Sequence, residues 1–418
     1  TTVVGMPWSA AMAATGMGAA YGLLPIGWIV LNTIFLYQIT KEQGAFDRMQ
    51  AAITSLSGDK RIQLVLIAFA LGSFFEGAAG FGTPVAITGA LLLALGFTPL
   101  QASTLSLIAN GAPVAFGAMG TPIIALAGVT GLDIDLLSKM VGRQLPFFSV
   151  IVPFWLIAAY DGWRGVRETW PTLLVAGLSF AVPQFLVSNF HGPWLVDVTS
   201  GVSCIICTSL FARRQTAKRE SVPQEHKTHS DLAAWTPWLI MSALVFVTGF
   251  ATVKTKLNGV FAPRIPVPYL DGIIQRIPPV VASVQAEPAV YLFNILSATG
   301  TAIFVAAIIG GLFLGVGLKQ LAHTYRRTLA LTWTSLVTIV AMMAIGYVTR
   351  YSGLDAILGL AFAQTGVLYP IFGTMLGWLG VALTGSDTSS NVLFGSLQKI
   401  TATQLGLSPV LMAAANSS

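Results

Sequence analysis

Charge is what this sequence has least of. Of its 418 residues only 9% are Asp, Glu, Lys or Arg, against 55% hydrophobic, and the mean hydropathy is +0.76. A soluble domain carries about a quarter charged residues, so a solvated globular surface is excluded and the chain reads as a membrane protein. Cysteine is nearly missing too: Cys204 and Cys207 share one apolar run with no second pair, which favours small core- or lipid-facing side chains over a zinc or redox centre. The four histidines, His191, His226, His229 and His323, fall in loops or at the ends of apolar runs, where solvated roles fit better than catalytic ones. No HExxH pair, no phosphate-binding glycine loop beside a lysine and no secretory signal is visible, so neither a metal nor a cofactor is expected. The net charge of +6 is not a nucleic-acid footprint, because Lys and Arg fall between the apolar runs, where they set membrane orientation. The chain opens with Thr1 and stops at Asn416-Ser417-Ser418 without a polar tail, so a piece is expected to be missing at each end.

What is present in quantity is apolar sequence in lengths suited to about 30 Å of hydrocarbon. Hydropathy predicts an all-α polytopic protein with runs at about 16–38, 62–75, 84–96, 100–130, 145–160, 169–189, 193–211, 234–253, 292–318, 329–348 and 354–416. A basic amphipathic stretch, 41–61, a basic loop with Lys319, Arg326 and Arg327, and a polar linker, 212–232, read as cytoplasmic. A Pro-rich excursion covers 254–289. The linker divides the chain into an N-terminal half, 1–211, and a C-terminal half, 233–418. Runs 62–75 and 84–96 are too short to span alone, so they predict a re-entrant hairpin with its tip at 76–83; 369–383 and 392–405 predict a second, with its tip at 384–391. Counting crossings makes the two halves inverted repeats. Weak self-similarity at an offset of about 308 residues agrees: Gly96-Phe97-Thr98-Pro99 matches Gly406-Leu407-Ser408-Pro409, and Ala109-Asn110 matches Ala415-Asn416. Broken helices meeting at the midplane are a mark of secondary transporters.

Two acids lie deep in apolar sequence with no loop nearby, Glu76 and Asp387, whereas Asp197 is close enough to the start of its run to reach the interface. An ionised carboxylate at mid-bilayer costs at least about 2.5–3.5 kcal/mol, so such a group is functional or paired; the plainer alternative is an acid that only hydrogen-bonds the hairpin tip. Burial favours the neutral acid, which suits a proton carrier. In NGAPVAFGAMGTPI, Asn110, Gly111 and Pro113 predict a broken helix at about 110–113, whose freed N–H groups attract a substrate carboxylate; a simple proline kink is the alternative. The glycines Gly77 and Gly80, with Thr83, complete the first tip, and Ser386, Thr388, Ser389, Ser390 and Asn391 make the second one hydroxyl-rich, matched to a small hydroxylated anion. Asn416 marks the second broken helix, where the chain stops. Arg143 and Arg350 are candidate cavity cations, with snorkelling at the interface the plainer reading.

Taken in order, FFEGAAGFGTPVAI, NGAPVAFGAMGTPI, VGRQLPF, DGWRGVRETWP, IPVPYLD, SATGTAI and LTGSDTSSNVLFGSLQ closely resemble the lactate permease family. The resemblance runs from about residue 16 to the end. It implies carriage of L-lactate, D-lactate and glycolate across the bacterial inner membrane with protons, a scaffold domain, a mobile domain holding two hairpins, often a dimer, and elevator-type movement. Two departures stand out. Asn110-Gly111-Ala112-Pro113 replaces the family's frequent Asn-Thr-Ala-Pro, removing one hydroxyl, and the family's following Gly-rich, lysine-containing segment lies beyond Asn416.

The expected function is therefore proton-coupled symport of small 2-hydroxymonocarboxylates, with Glu76 and Asp387 as the titratable pair and the lipid bilayer, the carboxylate and the proton as partners. Sodium coupling is the nearest rival, since carbonyls, Asn and Ser at two tips also coordinate sodium. An anion channel ranks below a carrier, and an integral-membrane enzyme below both.

Overall fold

The computed structural model describes residues 5–54, 56–80, 83–219, 232–281 and 283–418. Among them, six helices are long and apolar enough to cross a membrane, or eight if each of two sharply bent pairs is one span. The protein is thus a predominantly helical, multi-pass membrane protein. Large apolar side chains lie on its outside, among them Phe147 and Phe190 of one helix pair, Trp333, Trp378 and Leu383. That is the reverse of a surface meant for water, and it fits hydrocarbon as the solvent.

The first run is two helices, α1 (Trp8–Tyr21) and α2 (Trp28–Glu42), joined by a π-helical stretch Gly22–Gly27 in which Leu24 is extended ahead of Pro25. Pro25 lacks an N–H, so carbonyls are freed there. The single Tyr291 O–H is shared between Leu24 O at 3.1 Å and Ala20 O at 3.3 Å. After α3 (Ala45–Thr54), the chain climbs through α4 (Lys60–Leu64), a second π-helical stretch and α5 (Gly72–Ala78), then reverses into α6 (Thr83–Ala94). Lys60–Ala78 is one continuous 19-residue rod, longer than the expected 62–75 and able by length to cross alone. Nothing in VLIAFALGSFFEGA stops a helix until Gly80, at φ +56. Next come α7 (Pro99–Asn110), a 3₁₀ turn Val114–Phe116 and α8 (Gly117–Thr130), bent by 68° at the break.

Ile134–Phe190 (α9) runs as 57 helical residues but doubles back at Gly162, φ +66, as the two separate runs 145–160 and 169–189 require. Ser149 Oγ donates to Gln184 Oε1 at 2.7 Å and Ser138 Oγ to Ser188 O at 2.9 Å across the resulting hairpin. A short turn leads to α10 (Val196–Arg219). The expected cytoplasmic linker 212–232 falls largely outside the described residues. Cys204 is buried and Cys207 exposed, and neither is paired.

Beyond α11 (Leu232–Gly249) and α12 (Ala251–Val260), bent by 81°, the Pro-rich excursion folds into a nested ribbon. Its outer pair is β1 (Arg264–Pro266) with β4 (Val290–Leu292), its inner pair β2 (Gln275–Arg276) with β3 (Gln285–Ala286), both antiparallel. Then follow α13 (Thr299–Phe313) and α14 (Leu318–Ser352). The basic loop expected around Lys319, Arg326 and Arg327 is instead the first turns of α14, because no proline interrupts 318–352 and Lys and Arg are good helix formers. Against α1 and α2 pack α14 and α13. The last region holds α15 (Leu354–Ala363), α16 (Tyr369–Thr384), α17 (Asp387–Gln404) and α18 (Pro409–Ala415). α17 lies along α8, which brings the two halves of the chain together.

Candidate functional site

Glu76 sits in the last turn of α5, not in a loop, and is 5% exposed. The helix ends just beyond it at Gly80, and a Cβ there would lie 2.7 Å from that of Ala118. Ala118, Met119 and Gly120 are three consecutive left-handed residues (φ 44, 56 and 75). Such backbone costs about 1–3 kcal/mol at each non-glycine position and persists only where packing over-determines it. Here it is wedged between Gly80 on one side and Pro193 on the other, where a Cβ on Gly120 would come within 2.7 Å. The consequence is that the backbone of Gly117 lies directly against the Glu76 carboxylate; any side chain at 117 would collide with it. The Asn110 side chain is within hydrogen-bonding reach of the same carboxylate, and Glu76 Oε2 is buried without a partner among the described residues. The break itself is partly sealed by protein, since Gln184 Nε2 donates to Ala112 O at 3.1 Å.

The second hairpin turns more tightly than its sequence predicts. Only Gly385, at φ +69, and Ser386 separate α16 from α17, so most of the polar run 384–391 is the first two turns of a helix instead of a hydroxyl-rich tip. Ser386 accepts from Ser389 N as an N-cap, and Thr384 donates to Gly380 O; both are spent on local caps. Asp387, Thr388, Ser390 and Asn391 are buried. Asp387 Oδ2 accepts from Ser417 Oγ at 2.7 Å and from Asn391 Nδ2 at 3.3 Å. Asn416 Nδ2 donates to Asn391 Oδ1 at 2.8 Å and to Ser390 Oγ at 3.3 Å, and Ser390 Oγ to Gly377 O at 2.9 Å. Asn391 Nδ2 also reaches Pro122 O, 3.3 Å away in α8. Eight residues further along α17, Lys399 Nζ donates to Thr130 O at 2.7 Å, at the carbonyl end of α8.

The structure therefore gathers Glu76, Asn110 and the 117–120 backbone at the break, and Asp387, Ser390, Asn391, Asn416 and Ser417 between the start of α17 and the end of α18, with Asn391 joining the two groups. Glu76 and Asp387 are close enough to interact electrostatically. Pro113 is buried at the break, but Gly111 is exposed, Gly77 is packed against Asp197, and Ser389 is half-buried. Thr83, Phe81 and Gly82 are outside what is described of the first tip: the side chain of the first and the whole of the other two. Arg143 is exposed and donates to Asn189 Oδ1 at 3.0 Å.

Three readings need correction or addition. Asp197 does not reach the interface: it is 1% exposed, because the turn before it, Gly192–Leu195, is itself buried. Arg350 does not snorkel either, its side chain being 13% exposed and bound to Glu287 Oε1 at 2.6 Å. Glu287 also takes Arg276 Nε at 2.7 Å, and Arg276 reaches Asp355 at 3.4 Å, so the ribbon is latched onto α14 and α15. Asp355, buried and bonded to Ser396, is a further acid missed in sequence. The apolar residues Trp194, Leu195, Val196 and Val198 on either side of Asp197 were the available signal for it; for Asp355, next to a glycine turn, there was none.

Multi-pass helices, with one span broken beside the buried Glu76 and a second buried acid, Asp387, just past the turn of the second hairpin, have the layout of an integral membrane protein of the transporter class. The L-lactate permease family model matches residues 2–418, and the chain belongs to that family, one of transporters and not of enzymes. It is 46% identical to the glycolate permease GlcA of Escherichia coli strain K12, over 99% of this chain and 79% of that protein. It is 45% identical to the L-lactate permease of Salmonella typhimurium strain LT2, over 99% and 78%. Among solved structures it is distantly similar to the Alcanivorax borkumensis YdaH transporter (15% identity, 96% of this chain, 74% of that one, TM-score 0.44), a likeness too weak to position any residue.

Proposed function

We propose that this protein is a proton-coupled symporter of small 2-hydroxymonocarboxylates, lactate and glycolate among them, in the bacterial inner membrane. The names of its relatives supply the substrate class. The observation that carries the reading is that two buried acids, Glu76 and Asp387, lie one beside the unwound 118–120 backbone of the first half and the other just past the turn of the second hairpin, with Asn391 bridging the halves at Pro122. The substrate carboxylate sits at the break near Asn110–Pro113, between the end of α7 and the 3₁₀ turn that leads into α8, where freed N–H groups favour an anion. Its hydroxyl is read by Thr388, Ser390 and Asn391, the groups of the second hairpin that point inward once Thr384 and Ser386 are assigned to caps. Protonation of Glu76 and Asp387 removes charge from the loaded site before it crosses the low-dielectric barrier, which ties substrate movement to the proton.

The two halves, 1–211 and 233–418, form inverted repeats that move as an elevator, the family often working as a dimer. Support comes from matched local structure: Gly96 and Gly406 are both left-handed, Thr98 and Ser408 both N-cap a helix begun by proline, and Asn110 and Asn416 both end one. Sodium coupling is the second reading, favoured by one observation: a carboxylate oxygen of Asp387, the Ser417 hydroxyl and the Pro122 carbonyl, oxygens of the kind that hold a hard cation, are brought together around the Asn391 amide nitrogen.

The deciding experiment is uptake of labelled lactate and glycolate into proteoliposomes under imposed gradients. A pH gradient without sodium is expected to drive accumulation of both. Accumulation that follows a sodium gradient with the pH gradient collapsed overturns proton coupling, and single-channel currents overturn the carrier reading.

A further inference from the structure

Asp197 lies in the first turn of α10, 1% exposed, and neither of its carboxylate oxygens has a hydrogen-bond partner among the described residues. It is not a stray surface acid folded inward. α10 packs antiparallel to α5 with the backbones in contact: a Cβ on Gly201 would lie 2.7 Å from Phe74 N, and one on Gly77 2.7 Å from the Cβ of Asp197. Two glycines thus let α10 approach α5 closely enough to set Asp197 beside the residue that follows Glu76.

The acid next to that contact on α5 is Glu76, the residue before Gly77, whose Oε2 is also unpartnered among the described residues. Of the cations on nearby elements, Arg143 of α9 donates to Asn189 Oδ1 at 3.0 Å and Lys254 of α12 lies over the Trp194 ring at 3.2 Å, while neither Asp197 oxygen has a partner among the described residues. α8 and the π-helical stretch Val65–Leu71 contain no titratable residue, and His191, at the end of α9, is turned away, stacked on Phe246 with its Nε2 2.9 Å from Phe246 O. On α10 itself the nearest titratable group is Cys204, two turns on. The dipole at the start of α10 offsets only part of the penalty for an ionised buried carboxylate, and a second acid nearby adds to that penalty.

We infer that Asp197 is a third proton-holding carboxyl of the transporter, besides Glu76 and Asp387, and that it passes its proton to Glu76. In that step the O–H bond of Asp197 breaks as the Glu76 carboxylate takes the proton, so one negative charge shifts between neighbouring groups and none is created in the low-dielectric interior. Nothing else in the packing explains an acid at 197, since asparagine would fill the same space and bring its own donors. The inference rests on the proton-symport reading above.

The test uses the purified full chain in proteoliposomes, with an internal pH-sensitive dye reporting protons carried per labelled lactate. In the wild type, lactate entry is expected to bring protons with it. Asp197→Asn is expected to lower the proton-to-lactate ratio several-fold, and Asp197→Glu, which keeps a carboxyl, to restore most of it. A packing role predicts the opposite order, because Asn is isosteric while the extra methylene of Glu meets the Gly77 backbone; that order, or an unchanged ratio in Asp197→Asn, overturns the inference alone. If Asp197→Asn does not fold, the ratio in Asp197→Glu decides: retained coupling supports the inference, lost coupling overturns it. A wild type that carries lactate without protons overturns the symport reading and the inference with it.

Discussion

The side-chain amide of Asn391 donates to the Pro122 carbonyl at 3.3 Å, a contact between residues 269 positions apart that holds the second hairpin against the broken helix of the first half. The same nitrogen reaches Asp387 and Ser417, and the carbonyl oxygen of the amide accepts from Asn416. One side chain therefore ties the acid, the end of α18 and the opposite half together.

Asn391→Ala should weaken all of these at once. Leaving buried polar groups unsatisfied costs about 1–3 kcal/mol, and 1.4 kcal/mol is about tenfold in an equilibrium. Initial rates of labelled lactate uptake are expected to fall about tenfold or more, with a lower melting temperature in detergent. Wild-type uptake by this variant would remove Asn391 from the transport route.

Gly117→Ala should abolish uptake, since the new methyl occupies the space of the Glu76 carboxylate and overpacking of this kind costs about 1–3 kcal/mol. Gly89→Ala in α6 is the matched control. Its Cβ would meet only Ser106 Oγ at 3.9 Å, and helix propensity favours alanine there by about 0.5–1 kcal/mol. Equal uptake by the two variants, measured at equal amounts of reconstituted protein, would contradict the placement of Glu76.

Glu287 gives a pH dependence with a definite sign. It lies in the ribbon, outside the spanning helices; burial by itself would raise its carboxyl, but the Arg350 and Arg276 guanidiniums outweigh burial and hold it below the usual 4.5. A carboxyl depressed in the folded state stabilises the fold above its unfolded value, and that contribution is lost as pH falls through the folded value. Removing one partner of a buried ion pair costs about 3–5 kcal/mol, so Glu287→Gln should melt well below the wild type at neutral pH. The gap should hold down to 4.5 and close in more acid solution. A gap independent of pH would mean that the charge of Glu287 is not what latches the ribbon.

The breaks were legible because the residues that cause them act locally. Pro113 lacks a donor, Gly111 loosens the same turn, and Gly385 takes a left-handed turn that few other residues adopt. What local signals could not give was how far each break extends. The left-handed run 118–120 is held by Gly80 and Pro193, both distant in sequence, and the polar stretch 384–391 is mostly helix because Ser386 caps it early. Likewise Lys319, Arg326 and Arg327 read as a loop from their charge, although nothing in their backbone chemistry opposes a helix.

By itself the sequence determined the solvent, the number and rough limits of the apolar runs, and the presence of Glu76 and Asp387 among them, since hydropathy and the cost of a buried charge need no partner to be evaluated. Only the tertiary structure decided that Asp197 and Asp355 are buried as well, that Arg350 is latched to Glu287, and that Asn391 closes the gap to Pro122. Exposure and hydrogen bonding are properties of neighbours, and the neighbours here come from segments tens to hundreds of residues away.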